Sequence, residues 1–311
     1  MRYSPISRFR GTLLGAFLGE SLGTGDIQSQ SYLDLGRMAV LGTESLIALG
    51  RLDLDDWIAR QQQESLHLAV TDDISIKIIL ATLPVALFFH ENPIKLRENL
   101  LHVLKIWEDD PIIRDGTLAV GYAIALALTE KLNPRTLIPQ TISFLGQTPT
   151  SIPKKLLTVQ NLLQQGAGLS RVQAEFAKEE QLSNTIAMAF YCFLSTLEDF
   201  RLSVLQATRN GNFMQHTTPL NLQATGAITG ALSGAYNGIG TIPINWQLLL
   251  QKNSPTWGLT SFSQMLKLTD AFVAVWSGVY DLTLNPRELT EEGYEVALLS
   301  VYAAPRVIRS R

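Results

Sequence analysis

Apolar residues recur three and four positions apart along nearly the whole chain, and alternation with period two never lasts the length of a strand. The pattern predicts an all-α protein, with helices near residues 8–23, 36–50, 53–66, 73–90, 94–107, 116–132, 135–145, 153–165, 170–179, 183–197, 199–209, 222–238, 261–281 and 290–303. Local signals mark several boundaries. Asp53 suits the N-cap of the helix containing Trp57, Gly50 can close the helix before it, and Pro93 and Pro134 suit first-turn positions. Residues 146–155 read as a loop, and 209–223 as a polar loop running into a helix. Neither has the length or low complexity of an interdomain linker, so the 311 residues are expected to form one compact domain.

Two segments depart from ordinary helical patterning. Gly11, Gly15, Gly19 and Gly23 are spaced four apart, and so are Gly226, Gly230, Gly234 and Gly238, which puts each set in a stripe on one helix face. A glycine inside a helix costs about 1 kcal/mol relative to alanine, so only a close backbone approach or a ligand would offset four of them. Residues four apart form the ridges that interlock in the commonest class of helix crossing. The two stripes are therefore expected to meet each other or a shared partner helix, bringing the two ends of the chain together. Glycines used for packing alone and glycines that also shape a cleft fit the spacing equally well.

Composition narrows the possible functions. Hydrophobic residues make up 46% and charged residues 17%, with a mean hydropathy of +0.12, so much of the chain must be buried in a core or an oligomer interface. The longest apolar stretches, residues 76–89 and 118–128, fall short of the roughly 18 residues that span a bilayer, and the first contains Lys77. They read as core helices, and no membrane span is expected. The charged N-terminus leads into a glycine-rich helix rather than an apolar signal core, and Cys192 is the single cysteine, which together point to the cytoplasm. In its setting A-F-Y-C-F-L, Cys192 reads as a buried thiol rather than a nucleophile. A net charge of -3 gives no field for nucleic acid, and the basic tail around Arg306, Arg309 and Arg311 is too short to change that. His67, His90, His102 and His216 lack metal-ligand spacing and read as surface or capping residues. The clusters Asp53, Asp55, Asp56 and Glu108-Asp109-Asp110 read as solvated helix caps.

The glycine segments carry a resemblance. R-G-T-L-L-G-A-F-L-G-E-S-L-G at residues 10–23 resembles the opening R-G-A-L-L-G-A-A-I-G-D-A-L-G of the ADP-ribosylglycohydrolase family. Residues 224–238, A-T-G-A-I-T-G-A-L-S-G-A-Y-N-G, followed by Ile242, Pro243 and Trp246, are similar to the family's closing helix and its I-P-x-x-W tail. Segments 45–56, 83–87 and 187–194 fall between them in the family's order, so the resemblance covers residues 8–250, and 251–311 would add C-terminal helices completing the domain. It implies a compact, orthogonal multi-helix fold.

The resemblance also implies a site, in which family enzymes hold two magnesium ions between an early T-D-D-T and a late D-x-D-T or D-x-D-S. Those ions bind the ribose and position the attacking water. In register, the early motif lands on Leu33-Asp34-Leu35-Gly36 and the late one on Asn221-Leu222-Gln223-Ala224, while Glu20 replaces the aspartate of G-D-A-L-G. Magnesium demands hard oxygen ligands anchored by carboxylates, so Asp34, Asn221 and Gln223 would bind it far more weakly than four aspartates. The resemblance thus implies a cleft of Glu20, Asp34, Asn221, Gln223 and Thr225, with Glu20 and Asp26 as the catalytic candidates. No metal or other cofactor is expected, with Asp34, Asp72 and Asp73 as the candidates should one bind. Thr71-Asp72-Asp73, at the start of an apolar helix, reads first as a set of caps.

These changes imply a non-catalytic module that binds a protein partner, a second copy of itself or an ADP-ribose-like ligand. The alternative is an active, Mg²⁺-dependent glycohydrolase that removes ADP-ribose from protein side chains. Its rearranged site would draw on Glu20, Asp26, Asp34 or the Asp72-Asp73 pair.

Overall fold

The computed structural model describes residues 4–23, 35–64, 74–107, 110–176, 181–209, 219–247, 257–259 and 261–279, and no strand occurs among them. In chain order the helices are α1 (Pro5–Gly23), α2 (Leu35–Leu49), α3 (Leu54–Gln63), α4 (Ile74–Ala81), α5 (Leu83–Phe88), α6 (Pro93–Val103), α7 (Pro111–Leu128) and α8 (Leu137–Leu145). They continue with α9 (Ile152–Gln164), α10 (Leu169–Phe176), α11 (Gln181–Ser195), α12 (Phe200–Thr208), α13 (Pro219–Asn237), α14 (Ile244–Gln247) and α15 (Phe262–Ser277). The fold class read from the sequence is the one observed. The expected helix at 290–303, the basic tail, His67, His216, Glu108 and Asp109 lie outside the described residues.

The centre of the structure is the crossing of α1 and α13, which pack on each other more extensively than any other pair of described helices. Their glycine stripes face each other and run antiparallel. A Cβ built on Gly11, Gly15 or Gly19 would strike the carbonyl oxygen of Gly234, Gly230 or Gly226 respectively, and one on Gly23 would lie 2.6 Å from the Gln223 Cα. The expected meeting of the two stripes is therefore observed, and Gly238, whose carbonyl carbon lies 2.9 Å from a Cβ built on Gly11, also closes its helix. Its φ of 68° ends α13, and its N–H bonds to the Gly234 carbonyl at 2.8 Å.

A hydrophobic cluster collects buried residues from every described helix, including Phe9, Leu14 and Leu18 of α1, Ile228 and Leu232 of α13, and Met265 and Phe272 of α15. The late helix α15 is tied to the start of the chain by Phe9 against Phe272 at 5.7 Å and by the forked pair Arg10–Asp270 at 2.5 and 2.7 Å. Helix α7 is long and apolar enough to cross a membrane, but 78% of it is buried inside the protein. It is a core helix.

Several boundaries differ from the sequence reading. The single helix expected over 73–90 is two, α4 and α5, because Pro84 falls in the first turn of α5 and cannot donate to the turn before it. Helix α7 begins at Pro111, not 116, since Asp110 caps it by accepting from the Ile112 N–H at 2.6 Å. Pro134 lies in a turn before α8 rather than in its first turn. The loop expected over 146–155 ends sooner, because α9 starts at Ile152 with a proline in its first turn. Asp53 caps α3 as expected, and Gly50 follows α2 with φ 63°. His90 is buried rather than at the surface, and it caps the end of α5, with Nδ1 2.6 Å from the Leu87 carbonyl in that helix's last turn and its ring between Phe9 and Trp276.

Candidate functional site

The site implied by the resemblance falls where the C-terminal turn of α1 meets the first turns of α13, with the first turn of α2 joined to α1 through Trp257. Glu20 sits one residue past Gly19 on α1 and is buried at 5% exposure. Its level on the crossing is set by the Gly19–Gly226 and Gly23–Gln223 approaches. Gln223 is buried at 2% exposure and Thr225 at 5%. Among the described residues the Gln223 Oε1 has no hydrogen-bond donor. Asp26, Asp34, Asp72 and Asp73 lie outside the described residues, and so does the side chain of Asn221.

Sequence reasoning missed the side chain that fills this corner. The indole of Trp257, fully buried, donates from Nε1 to Glu20 Oε2 at 2.6 Å. Its pyrrole edge lies flat on Gly36, so that a Cβ built there would fall 1.9 Å from Nε1. Phe17 meets the indole edge-on at a centroid distance of 5.9 Å. The glycine at 36 is the available signal, since it stands where the family motif has its last threonine, in the first turn of a helix. Any side chain there would expel the indole. Helix α2 repeats the device at Gly42, against which the buried Trp57 packs.

A charged cluster borders the indole. Arg37, beside Gly36, lies against Gly258, donates to both carboxylate oxygens of Glu64 and pairs with Glu44 at 3.5 Å. Arg60 pairs with Asp56 at 2.7 Å and reaches Glu44 at 4.0 Å. Burial pushes the Glu44 carboxyl above the usual carboxylate range, and Arg37 and Arg60 offset only part of that. The Arg37 bond instead holds Glu64 below its usual range, against the opposing effect of burial. Cys192 is buried as expected, and desolvation pushes its thiol up to about 12.

The described residues do not fit a divalent cation. The Glu20 carboxylate faces an indole N–H, Gln223 is a neutral amide, and Trp257 covers Gly36. Among the described residues no three His, Cys, Asp or Glu side chains converge as a metal site would require. A cavity of about 260 Å³ lies elsewhere, lined by Leu101, Leu104, Lys105 and Arg114 and by none of these residues.

An all-helical core built on two interlocked glycine ridges defines the class of protein. The ADP-ribosylglycohydrolase family model matches residues 1–281, and the chain belongs to that family. A solved structure described as an ADP-ribosylglycohydrolase-related protein complex is similar in fold, with a TM-score of 0.61 and 17% identity over 88% of this chain and 99% of the other. No curated protein matches the sequence.

Proposed function

We propose that this chain is a non-catalytic member of the ADP-ribosylglycohydrolase family, a binding module that retains the scaffold without the magnesium-dependent chemistry. The observation that carries the reading is Gln223. It stands where the resemblance puts a metal-ligating aspartate, and it is a neutral amide at 2% exposure. A carboxylate so deeply buried is stable when a cation pays for its desolvation, whereas an amide needs none. The commitment of Glu20 to an indole N–H supports the same conclusion. The ligand would be ADP-ribose-like or a protein surface, and the protein would act in the cytoplasm.

Calorimetric titration of the full chain with Mg²⁺ and with ADP-ribose, alongside release of ADP-ribose from modified protein, tests the reading. No Mg²⁺ isotherm and no release are expected. Mg²⁺-dependent release would establish the alternative, an active glycohydrolase drawing on Glu20, Asp26, Asp34 or Asp72 and Asp73, for which family membership itself speaks.

A further inference from the structure

The corner between α1 and α2 is built around a ring. Glu20 and Trp257 are 237 positions apart in sequence, yet the carboxylate oxygen lies 2.6 Å from the indole nitrogen. Both groups are almost wholly inaccessible to water. A buried carboxyl oxygen that accepts from an N–H makes a directional hydrogen bond that is costly to leave unmade. Gly36 supplies a bare backbone floor on which only a flat group fits, and Phe17 supplies an aromatic wall at 79° to the ring. Gly258, the next residue, is packed under Arg37, which fixes the backbone carrying the indole. Floor, wall and acceptor together specify a planar aromatic ring with one N–H on its edge.

We infer that the recess formed by Phe17, Glu20 and Gly36 is a binding site for a flat, N–H-bearing heteroaromatic ring, with this chain's own Trp257 as its resident occupant. A threonine at position 36, as in the family motif, and the docked indole are mutually exclusive, because a Cβ there would lie 2.0 Å from both Cδ1 and Cε2 of the ring. Glycine at 36 is therefore what admits the ring of Trp257. With the ring removed, the recess takes the same class of group from solution. This deepens the non-catalytic reading of the same site. Hydrolysis by the parent protein would sink that reading, whereas ring binding decides this inference.

The experiment is the melting temperature of the full-length parent and of Trp257→Ala, each titrated with indole, 1-methylindole and MgCl₂. The parent is expected to be unmoved by any of them. Trp257→Ala melts lower and rises with indole concentration, as ligand binding to the folded state requires. Its response to 1-methylindole, which has no N–H, is expected to be at least about fivefold weaker, in line with loss of the buried hydrogen bond to Glu20. A folded Trp257→Ala protein indifferent to indole overturns the inference, as does an equal response to 1-methylindole. A response to MgCl₂ larger than that to indole also overturns it, since the recess would then be a cation site that a ring merely covers. If Trp257→Ala does not fold, Trp257→Phe keeps a ring and removes the donor. Glu20→Gln should then lower the melting temperature of the parent but not of Trp257→Phe. Equal losses in the two backgrounds would refute the pairing.

Discussion

Gly230→Ala tests the helix crossing on which everything else rests. In an isolated helix the change would stabilise by about 1 kcal/mol, because alanine is the better helix former. Here the new Cβ would lie 1.9 Å from the Gly15 carbonyl oxygen and 2.6 Å from its carbon, where ordinary contact begins near 3.4 Å. Both atoms belong to the α1 backbone, so no rotamer change can make room. The helices must part locally by roughly 1.5 Å, and a gap of even 0.5–1 Å forfeits a quarter to a half of each dispersion contact. The flanking Gly19–Gly226 and Gly11–Gly234 approaches lie on the same seam and open with it. Overpacking costs about 1–3 kcal/mol. A rigid backbone seam belongs at the top of that range, which leaves a net loss of about 2 kcal/mol after the propensity gain. With an unfolding entropy of about 2.1 cal/mol/K per residue, 311 residues give about 1.5 °C per kcal/mol, so the melting temperature should fall by about 3 °C. Thermal unfolding followed by far-ultraviolet circular dichroism measures this, with Gly240→Ala as the control because a Cβ there meets nothing within 4 Å. A Gly230→Ala protein with parent-like melting would refute the close-crossing argument.

Three further outcomes follow from single side chains. Cys192, with its thiol pushed up to about 12, should not react with a disulfide reagent at pH 8 until denaturant unfolds the chain, because the thiolate is the reactive form. Asp115 is 1% exposed and accepts from the hydroxyls of Thr148 and Thr150 and from Arg114. Asp115→Asn should therefore lower the urea midpoint by the equivalent of about 2 kcal/mol with an unchanged slope. Gln223→Asp places a carboxyl where burial raises its folded-state pKa above the unfolded value of about 3.9. Relative to the parent, that variant should keep its stability below about pH 4 and lose it as pH rises through the raised value, read as the pH dependence of the difference in melting temperature.

Much of this was legible in the sequence, and the reason is repetition. Helical class follows from a period that recurs throughout the chain, and the α1–α13 crossing follows from glycines whose cost in an isolated helix points to a close neighbour. The burial of Cys192 and the capping by Asp53 depend on residues within a few positions, so local rules reached them. Glu20 lies near the end of α1 and Gln223 near the start of α13, where the Gly23–Gln223 approach brings those two ends together. What only the tertiary structure decided is what fills the space between those ends. Trp257 lies past the segment that carries the resemblance, and its partners Phe17, Glu20 and Gly36 sit more than 200 positions away. No local pattern links a lone tryptophan to a lone glycine at that separation. The pairing exists because the glycine crossing brings the ends of the chain together, and because burying a large flat ring is favourable where a bare backbone floor and a buried acceptor already wait for it.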